Sequence, residues 1–191
     1  MIDLLKIQDF KRLSLFLNKI SERNSGIYLI ISLIGIFGSY LLFFPSMEKM
    51  NSTGYQIMHF QLAFTVDSME KILTAWDAFL SDVIYQMIVD FAFMFFYWLF
   101  FISVSILLFK KKTKIINEIS FLNVFLFITI ATFCDFLENI LSLIVLINGI
   151  SNMDIPILLL SSFALLKFVF LIFSIFLILI ELIKLIKLKY F

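Results

Sequence analysis

Four long apolar segments divide the chain, and each is long enough to cross a lipid bilayer as a helix. They cover residues 26–44, 83–109, 120–147 and 155–183. About 20 helical residues, rising about 1.5 Å each, cross a hydrocarbon layer of about 30 Å. Pro45 is expected to end the first segment, and Asn148 and Gly149 predict the turn between the last two. The pattern predicts an all-α integral membrane protein with four transmembrane helices, in a single membrane domain of residues 1–191.

The N-terminal segment, residues 1–20, has the pattern of an amphipathic helix. Its apolar residues recur at helical spacing, and basic residues lie between them: Lys6, Lys11, Arg12 and Lys19. Such a helix is typical of the membrane interface. The segment has no small-residue cleavage site and charges interrupt its apolar face, so we do not expect a secretory signal peptide.

The segment between the first two spans, residues 45–82, predicts a second amphipathic helix, outside the membrane. Over residues 67–82, Ile72, Trp76 and later apolar residues recur at three- and four-residue spacing, which gives a helix one apolar face. Asp67 is expected to cap this helix, with Glu70 as its reciprocal partner. The helix would form a lid over a site that opens on the same side, or a surface that binds another protein.

Composition and charge support a multi-pass protein and indicate its orientation. Hydrophobic residues make up 62% of the chain and charged residues 15%, unlike a soluble domain. Five basic residues precede the first span, four lie between the second and third and three follow the fourth, against two and none in the other connections. Because basic loops stay in the cytoplasm, both termini and the tail, residues 184–191, are expected there, with the protein in the bacterial inner membrane. This topology explains the basic residues, so no nucleic-acid partner is expected.

Four ionisable residues lie well inside the spans: Asp90, Asp135, Glu138 and Lys167. A charged side chain at the bilayer centre costs about 2.5–3.5 kcal/mol on insertion scales, so such residues usually face the bundle interior. Other polar residues extend these stripes at helical spacing: Tyr97, Asn139, Ser142 and Ser174. We therefore expect one polar layer shared by the second, third and fourth spans.

The charges of this layer do not balance. Three carboxyl groups face one ammonium group, which would leave a charge of −2 in an apolar interior if all were ionised. The layer is therefore expected to hold a proton or to recruit a cation. The residues expected to bind a ligand are Asp90, Tyr97, Asp135, Glu138, Asn139, Lys167 and His59, the only histidine. A divalent cation is a weaker candidate, because no metal-ligand spacing supports it, and no cofactor is evident.

Three classes of function fit this layer. The first is binding of a proton, a cation, a lipid headgroup or a small polar ligand. The second is an intramembrane enzyme acting on a lipid or an extracytoplasmic substrate, with Asp135, Glu138 and Asp90 as candidate acids and bases. The third is a structural or partner-binding protein in which Lys167 only fixes the helices. The halves of the spans towards the cytoplasm are almost wholly apolar, which favours a cavity that opens only to the outer side.

Three elements between residues 55 and 140 carry a resemblance to a known group. They are Phe60-Gln61-Leu62-Ala63 before a helix with Trp76, Asp90 with a later Tyr97, and Asp135-Phe136-Leu137-Glu138-Asn139. In these elements the chain resembles a group of small bacterial membrane proteins with four spans, whose function is unknown. The resemblance implies that Asp90, Asp135, Glu138 and Asn139 matter beyond folding.

Overall fold

The computed structural model describes the backbone of residues 2–109 and 116–190, and the side chains of residues 24–108, 122–184 and 186–187. Within these ranges the chain is helical apart from short turns and contains no strand. The helices are α1 (Ile2–Ser52), α2 (Ile57–Gln61), α3 (Val66–Trp76), α4 (Leu80–Phe109), α5 (Ile116–Asn148) and α6 (Asp154–Tyr190). The all-helical fold predicted from the sequence is confirmed.

Four stretches of helix are long and apolar enough to cross a membrane: Asn24–Ser52, Val66–Leu108, Leu122–Asn148 and Asp154–Lys184. They match the four predicted spans in number and order. Their outward faces carry large apolar side chains, such as Ile34 on α1 and Ile172 on α6, which are 67% and 65% exposed. An apolar surface of this extent is typical of contact with lipid.

The four long helices pack in a row, in the order α1, α4, α5 and α6, with little contact between α4 and α6. The buried face of α1 includes several small residues. Four serines at seven-residue spacing are buried along it: Ser25, Ser32, Ser39 and Ser46. At Gly35 the backbone of α1 approaches the ring of Phe96 on α4 so closely that a Cβ atom would overlap the ring. Small residues allow such close approach between helices in membranes.

The first helix differs from its prediction. Pro45 lies inside α1, which continues to Ser52 instead of ending at residue 44. Proline removes one helical hydrogen bond, but the turn that follows has other contacts. Met50 is 1% exposed in the apolar core, and Lys49 forms an ion pair with Asp82. The backbone of α1 is continuous from Ile2, whereas the side chains of residues 1–20 lie outside the described set, so their interfacial position stays a prediction.

One end of the bundle is closed by an apolar core, and we call it the capped end. The core joins the end of α1, helices α2 and α3 and the adjoining turns of α4, α5 and α6; its fully buried side chains include Met50, Phe60, Met69, Trp76, Met87, Val145 and Leu160. The loop after α2 is tied to α6, because the Phe64 backbone N–H donates to Ser161 Oγ at 2.9 Å. The apolar face of α3 is therefore used within the chain.

Two details of α3 differ from the sequence prediction. Its N-cap is Thr65, whose hydroxyl accepts from the Ser68 backbone N–H, and not Asp67. The helix ends at Trp76, and a 3₁₀ turn over Asp77–Phe79 leads into α4. The predicted helix over residues 67–82 is thus a shorter helix with a bend before the second span.

The ends of the other long helices also differ from their predicted bounds. Helix α4 begins at Leu80, before the expected residue 83, and α5 begins at Ile116, before residue 120. Helix α6 continues to Tyr190, through most of the tail predicted for residues 184–191. The basic connection at residues 110–115 lies outside the described backbone.

Candidate polar site

Helices α4, α5 and α6 each direct polar side chains into the space between them. Asp135 and Glu138 lie three residues apart on α5, and they are 3% and 0% exposed. Lys167 on α6 and Tyr97 on α4 are also buried. Residues spaced three or four apart share one helix face, so this face of α5 can meet both neighbouring helices.

Lys167 joins α6 to α5 through two carboxyl groups. Its ammonium donates to Asp135 Oδ1 at 2.9 Å and to Glu138 Oε2. The ammonium also lies 5.0 Å from the centre of the Phe168 ring. Two acidic partners and an aromatic face compensate for the removal of this charge from water.

Helix α4 contributes the other two contacts. The Tyr97 hydroxyl donates to Asp135 Oδ2 at 2.7 Å, so both oxygens of Asp135 are occupied. The Asn139 side-chain amide donates to Asp90 Oδ2 at 2.7 Å. These contacts form two adjacent groups: Asp90 with Asn139, and Lys167 with Asp135, Glu138 and Tyr97. Asp90 is only half-buried, so the first group contains a partly accessible carboxylate.

Replacing Tyr97 with phenylalanine is expected to destabilise the protein by about 2 kcal/mol, because a hydrogen bond to a charged group contributes about 1.5–3 kcal/mol. The check is a thermal or chemical unfolding curve in detergent. Tyr40→Phe is the matched control, since Tyr40 is 46% exposed on α1, and it should leave the curve unchanged. Equal curves for Tyr97→Phe and wild type would show that the bond to Asp135 contributes nothing.

Four buried polar atoms beside this network have no hydrogen-bond partner among the described residues: Gln86 Oε1, Glu138 Oε1, Asn139 Oδ1 and Ser142 Oγ. Gln86 lies one helical turn before Asp90, and Ser142 lies one turn after Glu138. Helices α4 and α5 run antiparallel, so both residues lie on the side of the network towards the capped end. We call Gln86, Asp90, Tyr97, Asp135, Glu138, Asn139, Ser142 and Lys167 the polar core. The sequence reasoning missed Gln86, although its four-residue spacing from Asp90 was visible.

Comparison of the chain with protein-family models, with curated proteins and with solved structures gives no match. The chemistry of the polar core must therefore be argued from its own geometry.

Two residues expected in the polar layer or the ligand set make local contacts instead. His59 is exposed on α2, where its Nδ1 accepts from the Gln56 backbone N–H at 2.8 Å. This contact closes the capping box of α2, so the histidine has a local role. Ser174 is buried on α6, but its hydroxyl donates to the Phe170 carbonyl of its own helix.

The unpartnered atoms of the polar core suit a cation or a hydrogen-bond donor. In the part of the chain that the structure describes, no three His, Cys, Asp or Glu side chains are grouped so that they could hold a metal ion. The polar core contains three carboxyl groups and one ammonium, and Glu138 Oε1 and Asn139 Oδ1 are acceptors without a partner. A buried acceptor without a partner costs about 1–3 kcal/mol, so a donor at these atoms would stabilise the fold.

A further buried carboxyl, Glu181, lies near the opposite end of α6 and is 4% exposed. Lys184, one turn later, donates to it at 2.8 Å. The residue was overlooked in the sequence because it falls near the predicted end of the fourth span. Glu181 lies 14 residues, about 21 Å of helix, beyond Lys167, so it is separate from the polar core.

Proposed function

We propose that this is a cell-membrane protein with four spans, with both chain ends in the cytoplasm and the capped end on the outer side. The apolar outward faces of α1 and α6 support membrane insertion. Basic residues concentrate in the connections away from the capped end, and the segment that forms the cap is acidic: Glu48, Asp67, Glu70, Asp77 and Asp82 against Lys49 and Lys71. This distribution follows the positive-inside rule.

We further propose that the polar core binds a proton or a small polar ligand that reaches it from the capped side. The observation that carries this proposal is the unbalanced core: two carboxyl groups contact Lys167, Asp90 adds a third carboxyl group that is bonded to Asn139, and Glu138 keeps one oxygen unpartnered among the described residues. A pair that served only to fix the helices would need no third carboxyl and no free acceptor. The other unpartnered atoms, on Gln86 and Ser142, extend the polar core towards the capped end, which supports entry from that side.

A structural role is the second candidate, because Lys167 already has two carboxylate partners and Tyr97 occupies the second oxygen of Asp135. In that case the network sets the register of α4, α5 and α6. The stability of the fold would then depend on these charged residues, but it would not change when ligands are added.

The two candidates separate in a thermal-stability experiment on the protein purified in detergent. The unfolding midpoint is measured over a pH series and with a panel of monovalent cations, divalent cations and small polar solutes. The proteins are wild type, the double variant Asp135→Asn with Glu138→Gln, and Asp82→Asn as control. Asp82 is an acid outside the polar core, in an exposed pair with Lys49.

A binding site predicts that a ligand, or a mildly lower pH, raises the midpoint of wild type and of Asp82→Asn, and that the double variant loses this rise. Binding to the folded state alone raises stability by RT ln(1 + [L]/Kd), about 2.7 kcal/mol at a ligand concentration of 100 Kd. If no solute raises any of the three midpoints, and wild type only loses stability as the pH falls, as ion-paired carboxylates do when they become protonated, the network is structural.

A further inference from the structure

We infer that the ligand of the polar core is a primary ammonium group, carried either by a lipid headgroup or by a soluble amine. This inference rests on the proposed binding function and names the chemical class of its ligand.

Within the polar core, the unpartnered atoms point to a ligand that donates hydrogen bonds; the other unpartnered buried atom among the described residues, Trp76 Nε1, is a donor in the apolar core. Glu138 Oε1, Asn139 Oδ1 and Gln86 Oε1 are acceptors, and the hydroxyl of Ser142 can also accept. The orientation of Asn139 is fixed, because its NH₂ group donates to Asp90 and leaves its carbonyl oxygen as the free atom. A ligand that satisfies this set needs several N–H donors, and a primary ammonium supplies three.

The charge of the polar core points to the same kind of ligand. Lys167 is the only cation of the polar core, which contains three carboxyl groups. A bound cation would therefore reduce the net negative charge in the interior, whereas a bound anion would increase it. The polar core already shows how it holds an ammonium, because Asp135 and Glu138 share the ammonium of Lys167. A second ammonium between Asp90 and the free oxygen of Glu138 would repeat this arrangement one step towards the capped end.

The surface charge of the capped end also favours a cation. A groove of about 360 Å³ opens at the capped end between α3 and the end of α5, and two exposed carboxylates line it, Glu70 and Asp77. The groove reaches Leu146, which lies one helical turn beyond Ser142 on α5. A negatively charged entrance raises the local concentration of cations, so it favours an amine over an anionic solute.

The test compares ligands that differ only in their N–H groups. The full chain is placed in nanodiscs of phosphatidylcholine, and phosphatidylethanolamine is then added at constant total lipid. Phosphatidylcholine has the same phosphate group, but three methyl groups replace the three ammonium hydrogens of phosphatidylethanolamine. In a parallel arm, without phosphatidylethanolamine, ethanolamine is compared with choline and with sodium and potassium ions at equal ionic strength.

A primary-ammonium site predicts that phosphatidylethanolamine or ethanolamine raises the unfolding midpoint by about 3 °C or more at saturation, and that the methylated and inorganic cations do not. A shift with the lipid alone assigns the source to the headgroup, and a shift with ethanolamine alone assigns it to a soluble amine. Equal shifts with choline, sodium or potassium would overturn the inference.

Two variants localise the response. Gln86→Met removes an unpartnered acceptor at similar side-chain volume, and it should reduce the amine-dependent shift by at least half. Ser174→Ala is the control, because this buried hydroxyl bonds its own helix, and the full shift should remain. An amine shift that Gln86→Met leaves intact would contradict the inferred position. If a mildly lower pH raises the midpoint of wild type but amines do not, the proposed binding of a proton stands and the amine inference fails.

Discussion

Replacing Lys167 with methionine is expected to destabilise the protein by about 3–5 kcal/mol at neutral pH, because breaking a buried ion pair leaves uncompensated charge. Methionine keeps the length of the side chain but removes the ammonium from both Asp135 and Glu138. The deficit relative to wild type should shrink as the pH falls, since protonated carboxyl groups need no counter-charge. Unfolding curves in detergent at mildly alkaline and mildly acidic pH measure both effects.

Two comparisons test the cause of this loss. Lys49→Met removes a lysine from an exposed pair, and it should cost no more than about 1 kcal/mol. Adding Asp135→Asn and Glu138→Gln to Lys167→Met should restore much of the lost stability, because the buried charges are then removed together. A deficit that is the same at every pH, or that the added variants do not relieve, would mean that packing and not charge determines the effect.

Replacing Gly35 with leucine is expected to destabilise the protein by about 3 kcal/mol, the upper part of the usual range for overpacking. Any Cβ at this position overlaps the ring of Phe96, and the remaining carbons of leucine enlarge the clash. Since α1 packs mainly on α4, the contact that fails is the one that docks the first helix.

Gly38→Leu is the matched control, because a Cβ at Gly38 meets nothing within 4 Å. It should be neutral or slightly stabilising, since leucine favours a helix more than glycine does. Adding Phe96→Ala to Gly35→Leu should recover part of the loss by making room for the leucine, and the double-mutant cycle measures that coupling. Equal effects of leucine at positions 35 and 38 would contradict the packing of α1 on α4.

Much of the fold follows from simple periodicity. The four apolar stretches are long, and a hydrophobic stretch of this length predicts a spanning helix. The face shared by Asp135, Glu138 and Asn139 follows from their spacing, and their contacts with Lys167 and Asp90 follow from placing all charges in one layer. The antiparallel arrangement of α4, α5 and α6 follows from the short turn after α5 and the chain order.

The helix ends depend on tertiary contacts, so local sequence signals predicted them less accurately. Pro45 was expected to end α1, but the following turn is held by the burial of Met50 and by the pair of Lys49 with Asp82. At α3 two capping residues were available, and the choice of Thr65 over Asp67 depends on where the chain leaves Phe64, which is bonded to Ser161 on α6.

Individual contacts of polar residues could not be derived from spacing alone. His59 was grouped with the buried acids because it is a common ligand, whereas its ring nitrogen accepts a bond from Gln56, the residue that caps its own short helix. Gln86 was missed because an uncharged amide gives a weak signal among apolar residues, and its importance depends on having no partner among the described residues. The serine repeat on α1 was missed for the same reason, since its meaning comes from the helix packed against it.

The proposed binding function requires that the polar core holds more negative charge than Lys167 neutralises. The most direct measurement is the infrared carboxyl absorption of the purified protein at neutral pH, for wild type and for Glu138→Gln. We predict a protonated carboxyl band in wild type that changes in Glu138→Gln and disappears when a cation binds. If all acids are ionised at neutral pH, with no bound cation and no difference between the two proteins apart from the lost carboxylate, the polar core is a structural ion-pair network and the binding function is wrong.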